Sequence, residues 1–262
     1  MKLGMPSLIE LNTIEDNLEL CKKLGFDFIE LNMNFPYNMI NNINPHYLYK
    51  LGIENNIEFT MHMPDDADIG SFYDEVRSGY LKLFIDTIKW SSKANVKLLN
   101  MHISKGAFMT MPDKKIYINE KYFDKYRKNF LESMQIISKE AAMYNIMICI
   151  ENSSNFALGY VEKLVEESLL LDNIYLTWDV GHDYISNFTD KSVLLRFEDK
   201  IKHMHLHDAS QNKDHLALND GKLNIKELLS YANKNNLTTL IEVKSKKALI
   251  KSKEQMDVLL IN

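Results

Sequence analysis

The sequence predicts a single (β/α)8 barrel over residues 1–262, a closed ring of eight parallel strands each followed by a helix. Eight short apolar runs alternate strictly with amphipathic helical patterns, and such alternation demands a mostly parallel sheet covered by helices. Eight units close into a barrel rather than an open sheet, and 262 residues lies near the roughly 250 typical of that form. No Pro/Gly/Ser-rich linker or low-complexity segment divides the chain.

The elements follow in order. Residues 3–5 read as a short first strand. Residues 13–24 read as a helix, with Thr13 and Asp16 spaced as a capping box and Gly25 as its stop. A second strand at 26–31 precedes a helix at 45–55, and 57–61 leads into a third strand. Leu81, Phe84, Ile85 and Ile88 share one face of the next helix. The fourth strand, 96–101, precedes a helix with Tyr122, Tyr126, Phe130, Met134 and Ile137 along one stripe. Then come strand 146–150 with a helix near 159–171, strand 174–178 with a shorter helix near 191–199, and strand 201–206. Ile225, Leu228, Leu229 and Ala232 mark the helix after it. Strand 238–241 and a Lys-rich terminal helix complete the set, with the run from Lys244 to Lys253 read as the solvated face of that helix.

Side chains with ligand chemistry fall where the strands end. His62 closes the third strand, His102 the fourth, Glu151 the fifth, Asp179 the sixth, His205 the seventh and Glu242 the eighth. In a closed α/β barrel those ends converge on one rim, where active sites sit. Alternation along a strand places Cys149 and Met147 on the face of Glu151, and Thr177 and Tyr175 on that of Asp179. The intervening Ile150, Trp178 and Leu206 suit the layer beneath the helices. Carboxylates and imidazoles gathered in an apolar-walled mouth are costly unless paired, and a divalent cation resolves that cost. Nitrogen and oxygen donors without thiolate suit zinc or manganese, and the number of imidazoles leans toward zinc. His182, three residues after Asp179 with Gly181 between to let the chain turn, and His215 in a later loop extend the set. His203 and His207 share a face with His205, so the pattern alone does not choose among the three; His203 is expected deeper, and His207 as a hydrogen-bonding partner rather than a ligand. Glu30 reads equally as a rim or a surface residue.

Composition narrows the alternatives. A net charge of −5 gives no broad basic field for a polyanion. Arg77, Arg127 and Arg196 are the only arginines, so bidentate phosphate recognition gets little support. Cys21 in a helical pattern and Cys149 in an apolar strand suggest no disulfide framework, and with many methionines they suit a reducing cytoplasm. Residues 1–6 lack a signal peptide's apolar core, and no apolar run approaches bilayer-spanning length, so a soluble cytoplasmic protein is expected. Gly-rich phosphate loops, nucleophile elbows and paired-cysteine zinc motifs are absent from the sequence.

Four segments carry a resemblance: Ile150-Glu151-Asn152, Trp178-Asp179-Val180-Gly181-His182, His203-Met204-His205-Leu206-His207-Asp208 and Ile241-Glu242-Val243. Together they resemble the xylose isomerase-like TIM barrel superfamily, which includes sugar isomerases and epimerases and the endonuclease IV group (AP endonuclease family 2). For the sugar epimerases the resemblance implies one metal held by Glu151, Asp179, His205 and Glu242, substrate contact at His182, and proton exchange by Glu151 and Glu242. For endonuclease IV it implies that His62, His102, His182 and His215 join those four around three zincs. That family has an aspartate two positions before His215 where this chain has Lys213, so a mono- or dinuclear site is easier to defend. Asp214 is expected to point elsewhere if its backbone is extended.

The expectation is therefore a divalent-metal-dependent sugar or polyol isomerase/epimerase that moves a proton beside a metal-bound carbonyl. The runner-up is a zinc-dependent phosphodiester hydrolase acting at abasic DNA sites. A non-catalytic sugar-binding barrel would not need two opposed bases. Phe35, Tyr37, Phe108, Phe156 and Tyr184 are candidates to wall a sugar or to pack rim loops. Barrels of this sort often pair through their helices, though no face here identifies such a contact.

Overall fold

Strand pairing runs in one unbroken circuit. The computed structural model describes residues 1–211 and 213–261. Its barrel strands are β1 (Lys2–Pro6), β2 (Phe28–Asn32), β3 (Glu58–His62), β4 (Leu98–His102), β5 (Met147–Glu151), β6 (Ile174–Asp179), β7 (Ile201–Leu206) and β8 (Thr238–Ile241). Every neighbouring pair is parallel, and β8 returns to β1, so the sheet has no free edge. The closed (β/α)8 barrel expected from the sequence is the fold. Its expected span of 1–262 includes Asn212 and Asn262, which lie outside the described residues.

Local chemistry sets the helices. Thr13 Oγ1 accepts the backbone N–H of Asp16 at 3.1 Å, starting the helix Ile14–Leu24. Gly25 ends it in the left-handed region at φ 68°, where a side chain would be strained. Asn44 caps Pro45–Asn55 by accepting from His46 and Tyr47. The helix Phe123–Met143 buries Tyr126, Phe130, Met134 and Ile137 as its spacing predicts. Tyr122 stands outside that stripe as the exposed residue before the helix. Deleting a ring as buried as Phe130 costs about 3–5 kcal/mol.

Alternation divides the strands into two layers. Ile29, Leu31, Ile150, Trp178 and Leu206 are buried in the main hydrophobic cluster. The residues between them, including Glu30, Glu151, Thr177, His203 and His205, make a buried polar column inside the barrel.

Several short elements are additional to the sequence reading, among them a 3-10 turn at Pro36–Asn38, a short helix at Ile118–Lys121 and the following three. A hairpin pairs Phe108–Thr110 with Lys115–Tyr117, and a second pairs Asp208–Ser210 with Lys213–Leu216. Their strands, three or four residues long, are too short to give a period-2 signal. The third is a short helix, Val180–Ile185, directly after β6. Among the described residues, no helix is long and apolar enough to cross a membrane.

Candidate active site

Register brings the rim residues to one level. Asn32 pairs with His62, and His62 with Asn100. His102 pairs with Glu151, and Asp179 with His205. Glu242 follows β8 and donates its N–H to the Leu206 carbonyl at 3.0 Å. The stagger of a tilted barrel thus turns six separate strand ends into one cluster.

His205 is its centre and is fully buried. Its Nδ1 lies 3.2 Å from Glu151 Oε1, 3.1 Å from Glu242 Oε2 and 4.0 Å from Asp179 Oδ2. One donor atom from each of Glu151, Asp179, His205 and Glu242 falls within 4.8 Å of the other three. The structure therefore brings together the four residues expected as ligands.

The other four histidines expected at the rim surround this group. His62 Nε2 and His102 Nε2 approach Glu151 Oε2 at 3.3 and 3.2 Å, while His62 Nδ1 faces the Met63 carbonyl at 2.7 Å. The Met63 carbonyl accepts a hydrogen bond from that Nδ1, and Nε2 faces the ionised Glu151 carboxylate. His182 Nδ1 lies 3.4 Å from Asp179 Oδ2. His215 Nδ1 lies 3.0 Å from the Glu242 carbonyl oxygen. Asp65 adds a carboxylate 3.7 Å from His62 Nδ1.

These contacts set the charges. Burial pushes the Glu151 carboxyl up, but the His205 and His102 rings outweigh it and hold it well below the usual carboxylate range. Burial acts the same way on Glu242 and is overcome by Lys244 and His205. At Asp179 it is overcome by His182 and His207. At His205 burial favours the neutral ring, yet Glu151, Glu30 and Glu242 hold its pKa well above the ordinary value. His62 is likewise raised to about 9, with Glu151 overcoming burial.

A divalent cation fits this donor set. His205 Nδ1 and Glu242 Oε2 are both buried without a hydrogen-bond partner, although they lie 3.1 Å apart. Three ionised carboxylates and an imidazole, with no thiolate, match zinc or manganese chemistry.

Several placements differ from the sequence reading. Glu30 is a buried interior residue, 3.1 Å from His205 Nε2, that lines the cavity with His62 and Glu242 and is not a surface group. Alternation held the clue, because Ile29 and Leu31 face the helices and send Glu30 inward. Lys244 precedes the terminal helix Lys246–Ile261 and pairs with Glu242 Oε1 at 2.6 Å, so it belongs to the site. Asn100 bonds Glu151 Oε2 and accepts from Thr177 Oγ1 at 2.6 Å; nothing in its sequence context marks it. Asp214 does not point away: its Oδ2 lies 4.0 Å from His182 Nε2. His215 adopts φ 50°, which breaks the extended alternation there.

Gly181 has a different job from the one expected. The chain coils after Asp179, whose Oδ1 accepts the His182 N–H at 2.6 Å, so no sharp glycine turn is needed. A Cβ on Gly181 would instead meet the His207 ring at 1.9 Å. His207 is the hydrogen-bonding partner expected, 3.0 Å from Asp179 Oδ1 through Nε2. His203 lies deeper, with Nδ1 2.7 Å from Thr238 Oγ1. Beside the cluster, a cavity of about 350 Å³ is lined by Leu8, Asn32, Phe35, His62, Glu242 and Lys244, among others. Phe35 thus borders open space, whereas Phe156 is fully buried and packs its loop.

Comparison with known proteins gives consistent findings. The family described as xylose isomerase-like TIM barrel matches residues 18–259. The uncharacterized protein MJ1614 of Methanocaldococcus jannaschii is 24% identical over 253 residues, covering 94% of this chain and 93% of the relative. A D-tagatose 3-epimerase-like protein superposes with a TM-score of 0.80 at 24% identity, over 100% of this chain and 97% of its own. The 3-keto-D-glucoside 4-epimerase YcjR of E. coli gives 0.78 at 18% identity, over 100% of both chains. The IolI protein, solved with a bound zinc atom, gives 0.77 at 14% identity, over 99% of this chain and 98% of its own.

Proposed function

The chain belongs to the xylose isomerase-like TIM barrel family, and from that premise we propose that it is a divalent-metal-dependent sugar or polyol isomerase/epimerase. The observation that carries this reading is the buried group of Glu151, Asp179, His205 and Glu242, with donor atoms within 4.8 Å of one another. The epimerase names borne by superposable barrels support the substrate class. The zinc of the IolI structure supports the metal.

Glu151, Asp179 and Glu242 would hold the cation through oxygen, and His205 through Nδ1. A bound divalent cation supplies Lewis-acid polarisation of a substrate carbonyl, which acidifies the neighbouring C–H. Glu151 and Glu242 are both kept ionised, so either can accept a proton from that carbon and return it. Removal by one and return by the other inverts the centre. Lys244 holds Glu242 Oε1 and leaves Oε2 facing His205. Phe35 and the polar groups around it would receive the rest of the sugar.

The test is proton exchange. Metal-replete protein in D2O should place deuterium on the carbon beside the carbonyl of at least one ketose or polyol ketone. Glu151→Gln and Glu242→Gln should each lower the exchange about 10²–10⁴-fold. No exchange across a broad panel of such substrates would end this reading.

One observation favours a second reading. Glu151 Oε2 faces His62 and His102 while its Oε1 faces His205, so this carboxylate could bridge two metal ions. Such a pair suits phosphodiester hydrolysis at an abasic site. Nicking of an abasic duplex by zinc-loaded protein, lost in His102→Ala, would support it; an intact duplex with every metal tried would remove it.

A further inference from the structure

Beneath the four-residue group lies a second layer whose members the proposed chemistry does not use: buried Glu30, Thr60 and His203, with half-buried Thr238 below them. Glu30 is 3% exposed. Its Oε1 lies 3.1 Å from His205 Nε2 and its Oε2 lies 3.4 Å from His203 Nε2. The Thr60 hydroxyl donates to Oε2 at 3.0 Å, and His203 Nδ1 is tied to Thr238 Oγ1 at 2.7 Å. Thr60 thus holds Oε2 by a hydrogen bond with His203 Nε2 beside it, and Oε1 lies next to His205 Nε2 in a close polar contact, although neither ring nitrogen makes a formed hydrogen bond here.

We propose that Glu30 is a positioning residue that fixes His205 with Nδ1 as its metal-binding atom and so sets the cation affinity of the Glu151–Asp179–His205–Glu242 site. The inference rests on the metal-site reading above. A half-turn of the His205 ring about its Cβ–Cγ bond would exchange Nδ1 with Cδ2 and point a carbon at Glu151 and Glu242. The same half-turn would take Nε2 away from Glu30. The two ring orientations thus differ by the Glu30 contact as well as by the donor they present. His205 is fully buried, so few groups besides Glu30 are near its Nε2. An Nε2–H opposite a carboxylate also leaves the lone pair on Nδ1 and strengthens it as a donor, as partners of metal-bound histidines generally do.

The test compares wild type, Glu30→Gln and Thr60→Val, each checked for folding by thermal denaturation. Zn2+ affinity is measured by calorimetry against a competing chelator. Long-range 1H–15N spectra of histidine-labelled protein report which nitrogen of His205 is metal-bound. Wild type should bind with His205 engaged through Nδ1 and protonated on Nε2. Glu30→Gln should bind about 10–100-fold more weakly, with that single signature lost. Thr60→Val, which removes only a support of Glu30, should weaken binding to a smaller extent.

Wild-type affinity and an unchanged His205 signature in folded Glu30→Gln would overturn the proposal and leave the metal site standing. Absence of Zn2+ binding by wild type would remove both, and this first titration separates the two failures. If Glu30→Gln does not fold, the wild-type spectrum and Thr60→Val decide. His205 bound through Nε2, or wild-type affinity in Thr60→Val, would then overturn it.

Discussion

His207 accepts the backbone N–H of His215 on its Nδ1 at 2.8 Å. That lone pair is therefore occupied, the ring proton sits on Nε2, and it faces both Asp179 oxygens at 3.0 and 3.1 Å. One ring thereby ties a central carboxylate to the hairpin that carries His215 and Asp214. The two imidazoles stack with centroids 4.1 Å apart.

Gly181 supplies the space for this arrangement. Gly181→Ala should destabilise the protein by about 1–3 kcal/mol through overpacking against the His207 ring. In the double variant Gly181→Ala/His207→Ala the clash is gone, so its loss should be smaller than the sum of the single losses. Denaturant unfolding of the four proteins measures the coupling. Strict additivity would mean that the glycine matters for another reason.

Glu151 and Glu242 should be separable from the scaffold. Replacement of either by Gln should lower solvent proton exchange about 10²–10⁴-fold, the range for loss of a positioned acid–base group. The variants should still fold, because each keeps its volume and part of its hydrogen bonding. Deuterium incorporation followed by NMR, at matched metal occupancy, checks the effect. Wild-type exchange in either variant would remove the two-base scheme.

Metal should stabilise the fold by mass action. Because the donors converge only in the folded chain, zinc or manganese at about 100 times its dissociation constant should add about 2.7 kcal/mol. Thermal melts with and without metal measure this. Glu242→Gln should give a smaller shift, whereas Lys50→Ala, at an exposed helix position, should respond as wild type does.

Thiol chemistry gives a pH test remote from the rim. Burial pushes the Cys21 thiol up to about 12, with Asp27 adding to the shift. A raised thiol pKa means less thiolate, so native protein should resist alkylation at pH 8–9 and react only as pH climbs toward that value. Unfolded protein should react readily at pH 8–9, near the ordinary thiol pKa. Mass spectrometry after timed alkylation follows both. Rapid labelling of native Cys21 at pH 8 would show that its burial is misjudged.

The barrel and the convergence of His62, His102, Glu151, Asp179, His205 and Glu242 were legible for a physical reason, whereas the choice of four of them as one ligand set rested on the family resemblance. Closing a sheet forces alternate residues inward, so an ordered series of His, Glu and Asp at strand ends can only converge. Glu30 was legible in principle, since Ile29 and Leu31 declare its face, but a lone glutamate near a strand end carries no sign of its partner. Lys244 lies two residues beyond Glu242 and was hidden by the lysines that follow it. Gly181 was read for its backbone freedom, when what matters is its missing side chain. That information sits on His207, another strand's extension, and no local pattern connects the two. Asp214 depended on the φ of its neighbour His215, which composition does not reveal.

The most direct test is anomalous diffraction from crystals grown with manganese or zinc. The account predicts a peak about 2.0–2.2 Å from carboxylate oxygens of Glu151, Asp179 and Glu242 and from His205 Nδ1. A metal bound only elsewhere, or none bound while these four side chains keep the positions described, would contradict it.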